Sequence, residues 1–126
     1  MSIDHLGLAV ANLENSQRFY VQALAPLGIR YIREVGGWAG FGKDGLESFW
    51  LGRQTAPRTP SHFAFAARTR DEVRAFYEAA LAAGARPNKP PQVLDIYHRN
   101  FFAAMVFDPD GNNVEAVCHI IEQGEE

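Results

Sequence analysis

The chain has a single cysteine, Cys118, so no disulfide can form within it and its fold must rest on a core rather than on covalent staples. At 126 residues with 47% hydrophobic content, one such core is attainable without a structural metal. Cationic excess is also missing: 12 Lys and Arg stand against 15 Asp and Glu. They are scattered along the chain, which removes the electrostatic footprint of a DNA- or RNA-binding protein. No apolar run approaches the roughly 20 residues that cross a bilayer as a helix, so no membrane partner is expected. Met1-Ser2-Ile3-Asp4 lacks the basic stretch followed by an apolar one that marks a secretory signal, and with the lone cysteine this points to the cytoplasm. There is no low-complexity segment and no third module.

What is there is a repeat. His5-Leu6-Gly7-Leu8-Ala9-Val10 returns as His62-Phe63-Ala64-Phe65-Ala66-Ala67, and the same offset of 57 pairs Phe19 with Phe76, Tyr20 with Tyr77, Ala23 with Ala80 and Leu24 with Leu81. Each copy opens with alternation that reads as a half-buried strand and continues with helical periodicity. Alternation assigns the faces. Leu6, Leu8 and Val10, like Phe63 and Phe65, point to the helices. His5, Gly7 and Ala9, like His62, Ala64 and Ala66, line the other side, where small residues leave room for a ligand.

The first helix is expected from about Glu14 to Leu24, after an Asn12 cap, and ends at Pro26 and Gly28. Strands follow at Ile29–Val35, Trp38–Gly42 and Leu46–Leu51, separated by Gly36-Gly37 and Lys43-Asp44-Gly45 as turns. The polar stretch 54–60, with Pro57 and Pro60, reads as a linker between a first module, 1–53, and a second, 61–121. In the second module Thr69 and Glu72 form a capping box, and Gly84 closes the helix. Pro87 to Pro91 is expected to be a break and Val93–Tyr97 a short strand or loop. Strands at Asn100–Phe107 and Asn113–Ile120 are joined by the turn Asp108-Pro109-Asp110-Gly111. Residues 122–126 form an acidic tail. The fold class is therefore α+β: two βαβββ modules forming a curved mixed sheet around a concave site.

The strongest chemical constellation is His5, His62 and Glu115. If the modules face each other across the concavity, two imidazoles and a carboxylate converge as a ligand set for a divalent metal with open coordination positions. A site of that kind polarises a substrate oxygen. Each residue taken singly reads as an ordinary solvated or hydrogen-bonded side chain; the joint placement in the repeat favours the metal.

The doubled βαβββ pattern, the H-x-G-x-A-V and H-F-A-F openings and the ending Asp108-Pro109-Asp110-Gly111-Asn112-Asn113-Val114-Glu115-Ala116-Val117 resemble the vicinal oxygen chelate superfamily, which includes glyoxalases, bleomycin-binding proteins, fosfomycin-resistance proteins and extradiol dioxygenases. The resemblance runs from Ile3 to His119. It implies that His5, His62 and Glu115 hold a divalent metal, Fe, Mn, Zn or Ni. Glyoxalase I-like relatives use one more glutamate on the fourth strand as ligand and base, and here that place falls at Phe49 or Trp50, neither of which can move that proton. Glu47 shares a strand face with Phe49 by period, and a bulge would be needed to bring it in; otherwise it sits solvated in the turn after Gly45.

Tyr97, His98, Arg99 and Asn100 form a polar cluster at a strand entrance. It suits proton transfer by Tyr97 and His98 and anion binding by Arg99, or is simply a hydrated loop. Trp38, Phe49 and Trp50 are candidates to stack on a planar substrate, or else core. His119 is expected at the surface or behind Glu115, and Cys118 buried and inert. The resemblance implies a metal-dependent, glyoxalase-like lyase or isomerase, with Glu115 both ligand and catalytic residue, acting on a small molecule with vicinal oxygens. The alternatives are an extradiol-type dioxygenase and a metal-free protein that binds a drug or metabolite. Short relatives also pair the first module of one chain with the second of another, which implies a homodimer.

Overall fold

Asn12 and Thr69 decide where both helices begin. In the computed structural model, which describes residues 3–95 and 100–120, the Asn12 side chain accepts from the Asn15 N–H at 2.9 Å and starts α1 (Leu13–Leu24). Thr69 accepts from the Glu72 N–H at 3.1 Å and starts α2 (Arg70–Ala82). Glu72 reaches back past the cap to the Arg68 N–H at 2.9 Å, so the capping box closes one residue further out than expected. A short 3-10 turn, Ala25–Leu27, ends α1, and Gly28 supplies the left-handed residue there at φ 78°. These bonds satisfy N–H groups that a helix start leaves without partners.

The strands are β1 (Leu6–Val10), β2 (Arg30–Val35), β3 (Trp38–Lys43) and β4 (Leu46–Arg53), then β5 (His62–Ala66), β6 (Arg86–Val93), β7 (Phe102–Phe107) and β8 (Asn113–Cys118). They form two four-stranded mixed sheets, ordered β1-β4-β3-β2 and β5-β8-β7-β6. In each, the strand before the helix runs parallel to the last strand of its module, and the rest is an antiparallel meander. The α+β reading and the twofold βαβββ order hold.

One element differs from expectation. Pro87 to Pro91 lies within β6 rather than in a break. Proline removes a ladder donor and is tolerated on an outer strand, and β6 is the outer strand of its sheet. The register shifts between Pro87 and Lys89 and again between Lys89 and Gln92, so that Pro90 and Pro91 fall within the second irregularity while Pro87 stays opposite Val106.

Both modules share a single core. Leu8, Val10, Phe49 and Leu51 of the first sheet and Val106, Val114 and Ala116 of the second belong to it, together with Phe19, Tyr20, Val73 and Phe76 of the helices. Helices α1 and α2 touch each other, and the Phe49 ring lies 5.8 Å from Phe63 and 5.2 Å from Phe65. The apolar sides of the two sheets are therefore turned toward one another. Their small-residue, histidine-bearing sides face away from that core.

Polar groups lock the seam. The Tyr20 hydroxyl of α1 donates to Asp108 Oδ2 at 2.6 Å, and the Asn112 side-chain amide donates to the same oxygen at 2.8 Å. Asp108 Oδ1 accepts from the N–H groups of Asp110 and Asn112. Asn112 Oδ1 in turn accepts from the Ser61 N–H and from Arg58, whose Nε donates to the Ala9 carbonyl at 2.6 Å. Desolvation, followed by the Asp108 charge, holds the Tyr20 hydroxyl protonated well above the ordinary tyrosine range. Its contribution to stability is thus complete below about pH 10 and is lost as pH rises through the raised value. Tyr20→Phe should lower unfolding stability by about 1.5–3 kcal/mol at neutral pH, measured by urea denaturation. The gap between the two proteins should narrow above about pH 10.

Candidate functional site

Strand β8 carries alternate residues to opposite faces. Val114, Ala116 and Cys118 enter the core, which leaves Glu115 on the outer side. Its neighbour across the parallel pairing is Ala64, while His62 sits opposite Asn113. Ala64 is small, so the His62 ring reaches over it, and Nε2 lies 2.9 Å from Glu115 Oε1.

The Glu115 side chain is only 4% exposed. Its second oxygen, Oε2, is buried with no hydrogen-bond partner among the described residues. A buried carboxylate oxygen without a donor is costly, and a bound cation would satisfy it. Imidazole nitrogen and carboxylate oxygen are together a donor set for Zn, Fe, Mn or Ni, so these residues fit a divalent ion.

His5 stands apart from them. It is exposed, and its Nδ1 lies 2.7 Å from Asp4 Oδ1. Among the described residues no group of three or more His, Cys, Asp or Glu side chains is placed to hold a metal. One chain thus brings together two of the three expected ligands. The free edges of β1 and β5 do border a common cleft of about 620 Å³, to which His5, Lys43 and His62 contribute polar groups. Phe49 also lines it, but from within the core at 1% exposure, against Tyr20 and Phe41. Phe49 is a packing residue rather than an open stacking surface.

The outer face of the first sheet is built differently. Trp50 pairs with Gly7 across β4 and β1, and Gly7 is the repeat partner of Ala64. Trp50 therefore occupies the place that Glu115 holds in the second module. A bulge follows: Phe41 faces Phe49, but Gly42 faces Glu47, leaving Ser48 as the extra residue. The bulge turns Glu47 to the same side as Trp50, where both cover Gly40. A Cβ on Gly40 would lie 2.7 Å from the Trp50 ring and 2.9 Å from Glu47 Cγ. Glu47 is therefore not the solvated turn residue expected: its side chain is 13% exposed and bound to Arg33 Nε at 2.5 Å. Trp38 lies on the same face with its indole over Gly52, 2.7 Å from where a Cβ would stand.

Arg33 was not legible as a site residue, since β2 reads as an ordinary polar outer strand. Strand glycines at 40 and 52 opposite tryptophans were the available signal. His119 is exposed, and its ring meets Phe101 edge-on at 5.2 Å; Cys118 is fully buried. Asn100 has a left-handed backbone, φ 67°. Tyr97, His98 and Arg99 lie outside the described residues.

The family model of the Glyoxalase/Bleomycin resistance protein/Dioxygenase superfamily matches residues 2–116. The chain belongs to this superfamily. A glyoxalase/bleomycin resistance protein from Albidiferax ferrireducens is 27% identical and superposes with a TM-score of 0.79, covering 91% of this chain and 96% of that one. A glyoxalase-related enzyme from Fulvimarina pelagi is 18% identical, with a TM-score of 0.72 over 100% and 96% of the two chains. The oxidase ChaP-H2 is 19% identical, with a TM-score of 0.69 over 98% of each. These last two likenesses show the fold. No curated protein matches the chain. No described helix is long and apolar enough to cross a membrane.

The hydrogen bond from Arg33 holds the Glu47 carboxyl below the ordinary glutamate range. Whatever stability this pair adds is present above the unfolded value of about 4.3 and lost as pH falls through the depressed one. An NMR pH titration of Glu47 should show the lowered value in the parent chain. Arg33→Ala should raise it back toward the ordinary glutamate range.

Proposed function

We propose that this chain is a metal-dependent enzyme acting on a small molecule with neighbouring oxygens, and that its site is completed between two copies. His62 and Glu115 come from one copy and His5 from the other. The observation that carries this reading is Glu115, a buried carboxylate with one oxygen on His62 and the other without a donor. Support for the second copy is that one chain pairs His62 with Glu115 while His5 stays exposed on Asp4, outside any group of three metal-binding side chains among the described residues. A twofold pair in which the His5 of one copy meets the His62 and Glu115 of the other creates two equal sites.

When bound, a divalent ion supplies Lewis-acid polarisation of two adjacent substrate oxygens. The chain's own contribution is positional. The core beneath β8 fixes Glu115, and Glu115 orients the His62 ring. Tyr97 and His98 would move protons and Arg99 would meet substrate charge, from the segment before β7. With Trp50 in the place equivalent to Glu115, the first module adds no carboxylate at that register, so three protein ligands leave positions open for substrate. Trp38 and Trp50 favour a second reading, a metal-free binding protein in which the same faces hold a ligand by stacking. Oxygen uptake with a catechol as substrate would separate a dioxygenase from a lyase or isomerase.

Elemental analysis after exposure to divalent metals should find about one ion per chain in the parent, as one two-histidine, one-carboxylate set per chain requires. His62→Ala and Glu115→Gln should find almost none. A purified heterodimer of His5→Ala with His62→Ala should regain about half the parental content, since one of its two shared sites is then intact. No metal in the parent under these conditions would sink the enzyme reading in favour of the binding protein. Metal in the parent but none in the heterodimer would place His5 beside His62 within one chain.

A further inference from the structure

Both tryptophans of the chain lie on the outer face of the first sheet, and neither belongs to the shared core. Each rests on a glycine. A Cβ on Gly52 would stand 2.7 Å from three atoms of the Trp38 indole, Cδ2, Cε2 and Cε3. Near-equal distances to fused neighbouring atoms mean that the ring lies face-on to the strand rather than edge-on. A Cβ on Gly40 would stand 2.7 Å from Cζ3 of Trp50.

Neither glycine has a left-handed backbone, so neither is there for conformational freedom. Glycine inside a strand weakens it, and what these two provide is space for indoles to lie against the sheet. Trp38 remains 39% exposed on its other side. The result is an aromatic floor outside the core.

The floor has a charged end. Arg33 pairs with Gly40 across β2 and β3, beside the Trp50 ring. Its Nε donates to Glu47, and its two Nη groups have no partner among the described residues. Its side chain is 63% exposed. Glu47 also steadies the guanidinium, so the remaining donors form a planar fork at a defined place. At the usual strand spacing, β2 and β1 are about 14 Å apart across the sheet, which leaves room for two or three fused rings between Arg33 and His5.

We infer that the outer face of the first sheet is a stacking floor for a flat, conjugated anion, with the ring system on Trp38 and Trp50 and the acidic group on the Arg33 fork. This deepens the proposed site by naming the class of molecule it takes. It rests on that reading only for the floor's position opposite a partner's metal ligands; binding to the floor needs no metal. An aliphatic acid of equal size gains the Arg33 contact and forgoes the stacking. A neutral flat molecule gains the stacking and forgoes the ion contact.

Calorimetric titration with 2-naphthoate, decahydro-2-naphthoate and 2-naphthamide, in the presence of a chelator, tests this. The parent chain should bind 2-naphthoate roughly fivefold or more tightly than its saturated counterpart. Trp38→Ala and Gly52→Ala should each erase that preference, and Trp38→Phe should keep most of it. Arg33→Ala should weaken 2-naphthoate roughly fivefold and leave 2-naphthamide unchanged. Circular dichroism and melting curves confirm that each variant is folded, and the exposed Arg33→Ala and Trp38→Phe variants keep the test intact if Gly52→Ala unfolds.

Equal affinity for the flat and saturated acids overturns the inference, as does 2-naphthoate binding that ignores both Trp38→Ala and Arg33→Ala. Absence of naphthoate binding, together with self-association that Trp38→Ala weakens, also overturns it, because a second copy then covers the floor. The metal reading is judged by the heterodimer experiment instead. Either can therefore fail while the other stands.

Discussion

The buried carboxylate of Asp108 is the constraint on which the rest of the molecule depends. A charge at 3% exposure survives only if its oxygens are satisfied, and its donors come from both modules. Two backbone N–H groups of its own turn hold one oxygen; Tyr20 and Asn112 hold the other. The turn that Asp108 closes joins β7 to β8 and so helps set the register that places Glu115 opposite Ala64. Through Tyr20 the same carboxylate anchors α1, and through Asn112 and Arg58 the linker and β1. The seam between modules and the geometry of the His62–Glu115 pair therefore share one support.

Beside that shared support the two modules have diverged. His5 immediately precedes β1 and His62 opens β5, yet the equivalent positions on β4 and β8 hold Trp50 and Glu115. One face presents a carboxylate behind a histidine. The other presents indoles, with a carboxylate shifted by a bulge and neutralised by arginine. The two modules repeat one pattern, and at the same register position one carries an indole and the other a buried carboxylate.

Much of this could be read from residue order, because local chemistry decided it. Asn12 and Thr69 marked both helix starts, alternation gave the buried faces of β1 and β8, and Asp108 to Gly111 marked a turn. The repeat exposed the pairing of His5 with His62. What escaped reading depends on partners distant in sequence. β6 was missed because proline argues against a strand unless the strand is known to be outermost. The place of Glu47 depended on one extra residue at Ser48, and Phe49 went to the core because β4 places it with Leu51. Arg33 acquires meaning only once Glu47 is turned toward it. Separation of His5 from Glu115 within one chain was implied by the family resemblance but not by periodicity, which does not encode how the sheets pack.

The prolines of β6 have a further consequence. Each sheet of an open α+β fold ends in strands whose unused N–H and C=O groups can recruit another chain, with the risk of runaway strand addition. Pro87, Pro90 and Pro91 strip donors from the last strand of the second sheet, and the two register shifts break its straight ladder. A fibre cannot propagate readily through that border. The borders left with full ladders are β1, β2 and β5; His5 immediately precedes the first of these and His62 opens the last.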